Sequence, residues 1–180
     1  MQDNYHVTKK YLAVMTFGIS HMQRIHTELQ PFYPYVPRVV KAAWGAPGFS
    51  KIQPPNLGDL MHPRFYDEDC KREKLEVSQV LFLWDDIEAV LAFTYNGIHR
   101  EALRINKENS WFLHNRWPPY VAWWAQPDEV RWDVGCRKLE QLQDHGSTAE
   151  AMTLHSPFDI DSNSYRIDHE KLRRNKSFYA

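Results

Sequence analysis

The chain has 180 residues, room for one domain of ordinary size with a tail or long loop left over. Its formal net charge is −1, from 22 basic and 23 acidic side chains, which excludes a field strong enough to gather nucleic acid or anionic lipid. Hydrophobic residues at 43% and charged residues at 25% exclude a disordered chain, while aromatic residues, at 14%, either fill a large core or line a pocket for a flat apolar ligand.

Lys10 to Gly18 is rich in β-branched and aromatic residues and reads as a first strand ending at the glycine. Ser20 is placed to cap the helix that follows, but Pro31, Pro34 and Pro37 break or delay it, so that only Arg38 to Trp44 is expected to form its final turns. Phe49 to Gln53 reads as a short second strand. Residues 54–75 carry prolines, many charges and little periodicity, and are expected to form a long loop, either a lid over a pocket or a disordered insertion.

Glu76 to Trp84, alternating and then continuously apolar, is the clearest strand and suits a central position. Asp85 is expected to cap a helix whose apolar side, Ile87, Val90, Leu91 and Phe93, lies on the sheet. Gly97 breaks it, and a second helix begins near His99. Tyr120 to Ala125 is another strand, Trp132 to His145 a helix closed by Gly146, and Ala151 to His155 a last strand. This order matches an α+β, ferredoxin-like split βαβ plan with an antiparallel sheet in a single domain over residues 1–158. The second face of such a sheet needs a partner, so a homodimer is expected. The polar tail, residues 159–180, is expected to be mobile or to wrap a neighbour.

His99 is the first candidate for a general acid or base, because imidazole changes charge near neutrality; alternatively it anchors the helix break by bonding a backbone carbonyl. Tyr95, four residues earlier, shares its face if the helix continues. His114 follows Trp111-Phe112 and is either a second proton-transfer group or an exposed loop histidine. Trp84, Phe93, Trp111, Phe112, Trp123 and Trp124 are expected around a cavity, with Trp123 and Trp124 on opposite sheet faces because strand side chains alternate. No metal-binding spacing, Gly-rich phosphate loop or serine-hydrolase elbow is present, so no metal and no cofactor are expected. Cys70 and Cys136 read as free thiols. No apolar run reaches the roughly 18–20 residues of a membrane span, and a cytoplasmic protein is expected.

The order of Trp84, the helix ending in Phe93, Tyr95 and His99, then Trp111-Phe112, Val121 to Trp124, and Leu139 through His145-Gly146 and Thr148 to Ala151 resembles the domain-of-unknown-function family 3291. The chain departs from that family's pattern at residues 54–75, at Ala122 in place of Leu, at Met152 in place of an aromatic, and in its tail. The resemblance implies a dimeric α+β barrel related in shape to cofactor-free monooxygenases and polyketide cyclases. The expected function is then a cofactor-independent enzyme acting on a small apolar, polycyclic or polyketide-like metabolite by cyclisation, isomerisation or oxygenation. The alternatives are a non-catalytic small-molecule carrier or interaction protein and, more remotely, a haem protein using His99 or His114.

Overall fold

Four strands, β1 (Tyr11–Gln23), β2 (Phe49–Ile52), β3 (Leu75–Trp84) and β4 (Tyr120–Ala125), form one antiparallel sheet in the order β2-β3-β1-β4. The helices are α1 (Tyr35–Trp44), α2 (Glu68–Glu73), α3 (Ile87–Thr94), α4 (Gly97–Asn109), α5 (Trp132–His145) and α6 (His169–Lys176). The computed structural model describes residues 9–54, 61–113 and 116–180. The α+β split βαβ architecture expected from the element order is the one observed.

Several boundaries move for identifiable reasons. β1 continues past Gly18 because Ile19 and Met22 are both buried and the strand keeps pairing with β3 as far as Gln23↔Leu75. A Cβ on Gly18 would lie 3.0 Å from Cδ1 of Phe112, so this glycine permits a close approach instead of ending the strand. Ser20 is buried within β1, its hydroxyl accepting from the Met22 amide at 3.0 Å, and caps nothing. Pro37 sits in the first turn of α1, where backbone amides have no helical acceptor, so the helix starts before it. The N-cap of α3 is Asp86, which accepts from the Ala89 amide at 2.9 Å, while Asp85 pairs with Lys9 at 2.6 Å.

Both sheet faces are covered by the chain itself. Met15, Leu81, Val121 and Trp123 pack against Cys136, Leu139 and Leu142 of α5, and a Cβ on Gly135 would fall 2.5 Å from the Met15 sulfur, so α5 lies flush on the sheet. Leu12, Val14, Phe82 and Trp84 pack on the opposite side against Ala43 of α1 and Ile87, Val90 and Phe93 of α3. The face for which a second copy is expected is therefore occupied by α5. Trp123 and Trp124 do lie on opposite faces, with Trp123 meeting α5.

Within residues 54–75 the described part is not a free loop. Asp67 caps α2 by accepting from Cys70 N at 2.9 Å, Arg64 pairs with Asp144 of α5, and Phe65 stacks on Trp117 with ring centroids 5.7 Å apart. Residues 55–60 lie outside the described residues. Ala151 to His155 forms no strand. Ala122 and Met152, both departures from the family pattern, instead form an isolated bridge, exchanging N–H to carbonyl bonds of 2.9 and 2.8 Å.

The tail returns to its own chain. The carboxylate of Glu88, wholly buried in α3, accepts from the Tyr165 hydroxyl at 3.0 Å and the Asp168 amide at 2.9 Å, and the Lys171 ammonium lies 3.7 Å away. A buried carboxylate requires such partners, and here the tail supplies them.

Candidate functional site

The sheet face toward α1 and α4 changes character along its length. At one end the paired residues Leu12↔Trp84 and Val14↔Phe82 are bulky. Two pairs further on they are Thr16↔Val80 and Gly18↔Ser78, small or polar, and only partly buried. Side chains that size do not reach the helices above them, and a cleft of about 310 Å³ opens there. That volume falls within the range of small-molecule sites.

One wall is α1, through Tyr35, Val36, Val39 and Val40. The facing wall is a single stripe of α4, His99, Ala102, Leu103 and Asn106, spaced i, i+3, i+4 and i+7. Phe32, Phe112 and Trp117 close the far end. The Tyr35 hydroxyl donates to Glu101 Oε1 at 3.1 Å, tying α1 to α4. Burial, with Glu101 as acceptor, raises the phenol pKa and keeps that proton in place.

His99 is the one ionisable ring nitrogen group among the described lining residues. Its Nδ1 lies 3.0 Å from the Thr94 carbonyl, which can only accept, so Nδ1 carries a hydrogen and Nε2 keeps its lone pair. Nε2 has no protein partner among the described residues. Burial lowers the imidazole pKa, against a smaller upward pull from the Thr94 carbonyl, and the ring is held neutral near pH 7. A neutral imidazole oriented from behind, with its other nitrogen bare, is equipped to accept a hydrogen bond or a proton.

The other expected site residues divide. Phe112 lines the cleft, and Phe93 stands behind it with its ring 5.0 Å from that of His99. Tyr95 is 43% exposed as the C-cap of α3 and does not line the cleft, because the chain turns at Asn96 before α4 begins and the two residues share no helix face. His114 lies outside the described residues.

The tryptophans expected around a cavity are largely structural. Trp84 is wholly buried against Phe49 and Phe93. Trp111 is buried with its indole donating to the Glu28 carbonyl at 2.9 Å. Trp123 faces α5, and Trp124 donates to the Phe158 carbonyl at 2.9 Å.

Sequence reasoning missed Tyr35, Asn106, Thr16, Ser78 and Trp117. The Asn106 side-chain oxygen is fully enclosed and has no hydrogen-bond partner among the described residues. The cysteines are far from this chemistry: burial raises both thiols, Cys136 to about 12. Among the described residues, no cluster of three or more His, Cys, Asp or Glu is placed to hold a metal, and no helix is long and apolar enough to cross a membrane.

The model of a family described as a domain of unknown function, DUF3291, matches residues 11–169, a span that contains the whole sheet and every residue of the cleft. No curated protein and no solved structure matches the chain.

Proposed function

We propose that this chain, which belongs to the DUF3291 family, takes a small, flat, largely apolar metabolite of polycyclic or polyketide-like kind into the cleft between its sheet and α1 and α4, and acts on it without a cofactor. His99 Nε2 takes a proton from an acidic O–H or activated C–H of the bound molecule while Nδ1–H stays on the Thr94 carbonyl. The resulting imidazolium is disfavoured by its burial, so the proton is returned to another atom of the same molecule, which is an isomerisation or the proton step of a cyclisation. Oxygenation follows the same start, with dioxygen as co-reactant. The observation that carries this reading is the oriented, neutral His99 on the wall of a largely apolar cleft.

The bond from Nδ1 to Thr94 equally suits a histidine that merely fastens the turn between α3 and α4, and this favours a carrier as the second reading. The homodimer expected from the resemblance has no part in either, since the sheet and helices of one chain enclose the cleft. Native mass spectrometry of the protein from its producing cells is expected to show a retained apolar molecule. An empty cleft that also takes up no added para-phenylphenol overturns both readings. With the retained molecule as substrate, His99→Gln is expected to lower turnover at least a hundredfold while binding persists; unchanged turnover removes His99 from the chemistry, and no turnover by the parent chain leaves the carrier.

A further inference from the structure

The turn between α3 and α4 sets the orientation of His99, and its own residues do little to hold it. Thr94, whose carbonyl takes the Nδ1 hydrogen of His99, is the last residue of α3. Asn96, the N-cap of α4, makes no side-chain bond to the first helical amides and donates its side-chain amide back to the Ala92 carbonyl at 2.8 Å. Gly97 follows with φ at 52°, in the left-handed region that glycine enters without steric cost. A helix that starts on a residue giving no cap and on a left-handed glycine frays readily unless something outside it closes the turn.

The carboxyl-terminal tail supplies that closure. A Cβ built on Gly97 would lie 3.4 Å from Cδ1 of Tyr179, so the tyrosine ring rests against the glycine. Tyr179 also packs on the cluster that holds Phe93, whose ring centroid is 5.0 Å from that of His99. Its hydroxyl is enclosed without a hydrogen-bond partner among the described residues, so the ring acts by its bulk. α6 carries it to the turn: Glu88 holds Tyr165 and Asp168 ahead of that helix, and Lys171 within it pairs with Asp86 at 3.0 Å. The match to the DUF3291 family ends at residue 169, so the strap that reaches the turn lies beyond the part matched to the family.

We propose that Tyr179 is a positioning residue for His99. Its ring closes the α3–α4 turn from outside, which keeps the Thr94 carbonyl on Nδ1 and leaves Nε2 without a hydrogen. Once the ring is removed, Gly97 relaxes and the bond from Nδ1 is lost for part of the time. In that fraction the hydrogen passes to Nε2, where it turns away a ligand that comes to donate. The consequence for binding rests on the proposed cleft reading; the effect on the imidazole does not.

The test is nitrogen NMR of the histidine rings in the isotope-labelled full chain at about pH 8, where a neutral imidazole reports its tautomer, together with equilibrium dialysis against para-phenylphenol. His99→Gln identifies the His99 resonances. The parent is expected to carry the hydrogen on Nδ1 alone. Tyr179→Ala is expected to show a substantial share of the Nε2–H form and to bind para-phenylphenol about fivefold more weakly. Tyr179→Phe, which keeps the ring and drops only the unpartnered hydroxyl, is expected to match the parent in both readings. Phe178→Ala, at a neighbour 56% exposed, is expected to change neither. If Tyr179→Ala does not fold, Tyr179→Leu carries the same two readings. Parental ring resonances in Tyr179→Ala or Tyr179→Leu overturn the positioning role, and so does a Tyr179→Phe chain that has lost the Nδ1–H form. Absence of binding by the parent overturns the cleft reading alone, and the resonances still decide the role of Tyr179.

Discussion

The two faces of the one sheet are built to different ends. Under α5, Met15, Leu81, Val121, Trp123 and Leu139 are at most 3% exposed, and the helix sits so close that Gly135 has no space for a Cβ. Under α1 and α4 the same strands fill half of their face with Leu12, Val14, Phe82 and Trp84, then present Thr16, Gly18 and Ser78 and leave the rest open. Burial of apolar surface holds the first face together; the second forgoes part of that stabilisation and keeps a volume that a ligand can fill. A site of this kind is located by where the core is missing, not by where the large aromatic residues are.

Truncation is the sharpest way to break the comparison. Leu139→Ala, at a wholly buried position, is expected to cost about 3 kcal/mol in urea unfolding, while Leu103→Ala on the cleft wall, 41% exposed, is expected to cost under about 1 kcal/mol. Equal losses would mean that the cleft closes up as tightly as the α5 face. The two glycines repeat the contrast at smaller scale. Gly135→Ala gains about 1 kcal/mol of helix propensity but forces a methyl into Met15, and a net loss of about 1 kcal/mol is expected. Gly18→Ala pushes only on the Phe112 ring, which has the cleft beside it, so stability is expected to stay within about 0.5 kcal/mol of the parent. Ser78→Leu fills the open half directly. It is expected to leave the unfolding midpoint within the error of measurement and to abolish para-phenylphenol binding in dialysis; retained binding would place the ligand elsewhere.

The sheet and four of its helices were legible because their apolar residues recur at strand or helix spacing over long runs, as in Glu76 to Trp84 and Trp132 to His145, the latter reproduced to the residue. α2 was hidden because six residues, mostly charged, give no periodicity, although Asp67 is a good cap. α6 was hidden because its eight residues are mostly charged and it is held largely by polar contacts, Glu88 with Tyr165 and Asp168 and Asp86 with Lys171; the signal was Glu88 alone in an otherwise apolar helix face. The cleft was half legible. His99 and Phe112 stood out by residue type, whereas Asn106 and Tyr35 were ordinary until α1 and α4 came together. The series Leu12, Val14, Thr16, Gly18, Ser20, taken at every second residue of β1, does show one face shrinking, and that pattern could have located the floor of the cleft.

The smallest effect tests whether His99 belongs to the open face or merely to its edge. Burial holds its imidazole pKa below the ordinary value, so between the two values the unfolded chain binds more protons than the folded one. The contribution is fully present above about pH 6.5 and is lost as the pH falls toward the folded value, with a slope that cannot exceed about 1.4 kcal/mol per pH unit for one group. His62, whose pKa burial also lowers, titrates in parent and variant alike and cancels from the comparison. Urea unfolding of the parent is therefore expected to weaken more steeply from about pH 7 to pH 5 than that of His99→Gln. Parallel slopes would show the ring open to solvent and as free to charge as a surface histidine. A neutral base at the cleft wall, and with it the difference in purpose between the two faces, would then lose its electrostatic basis.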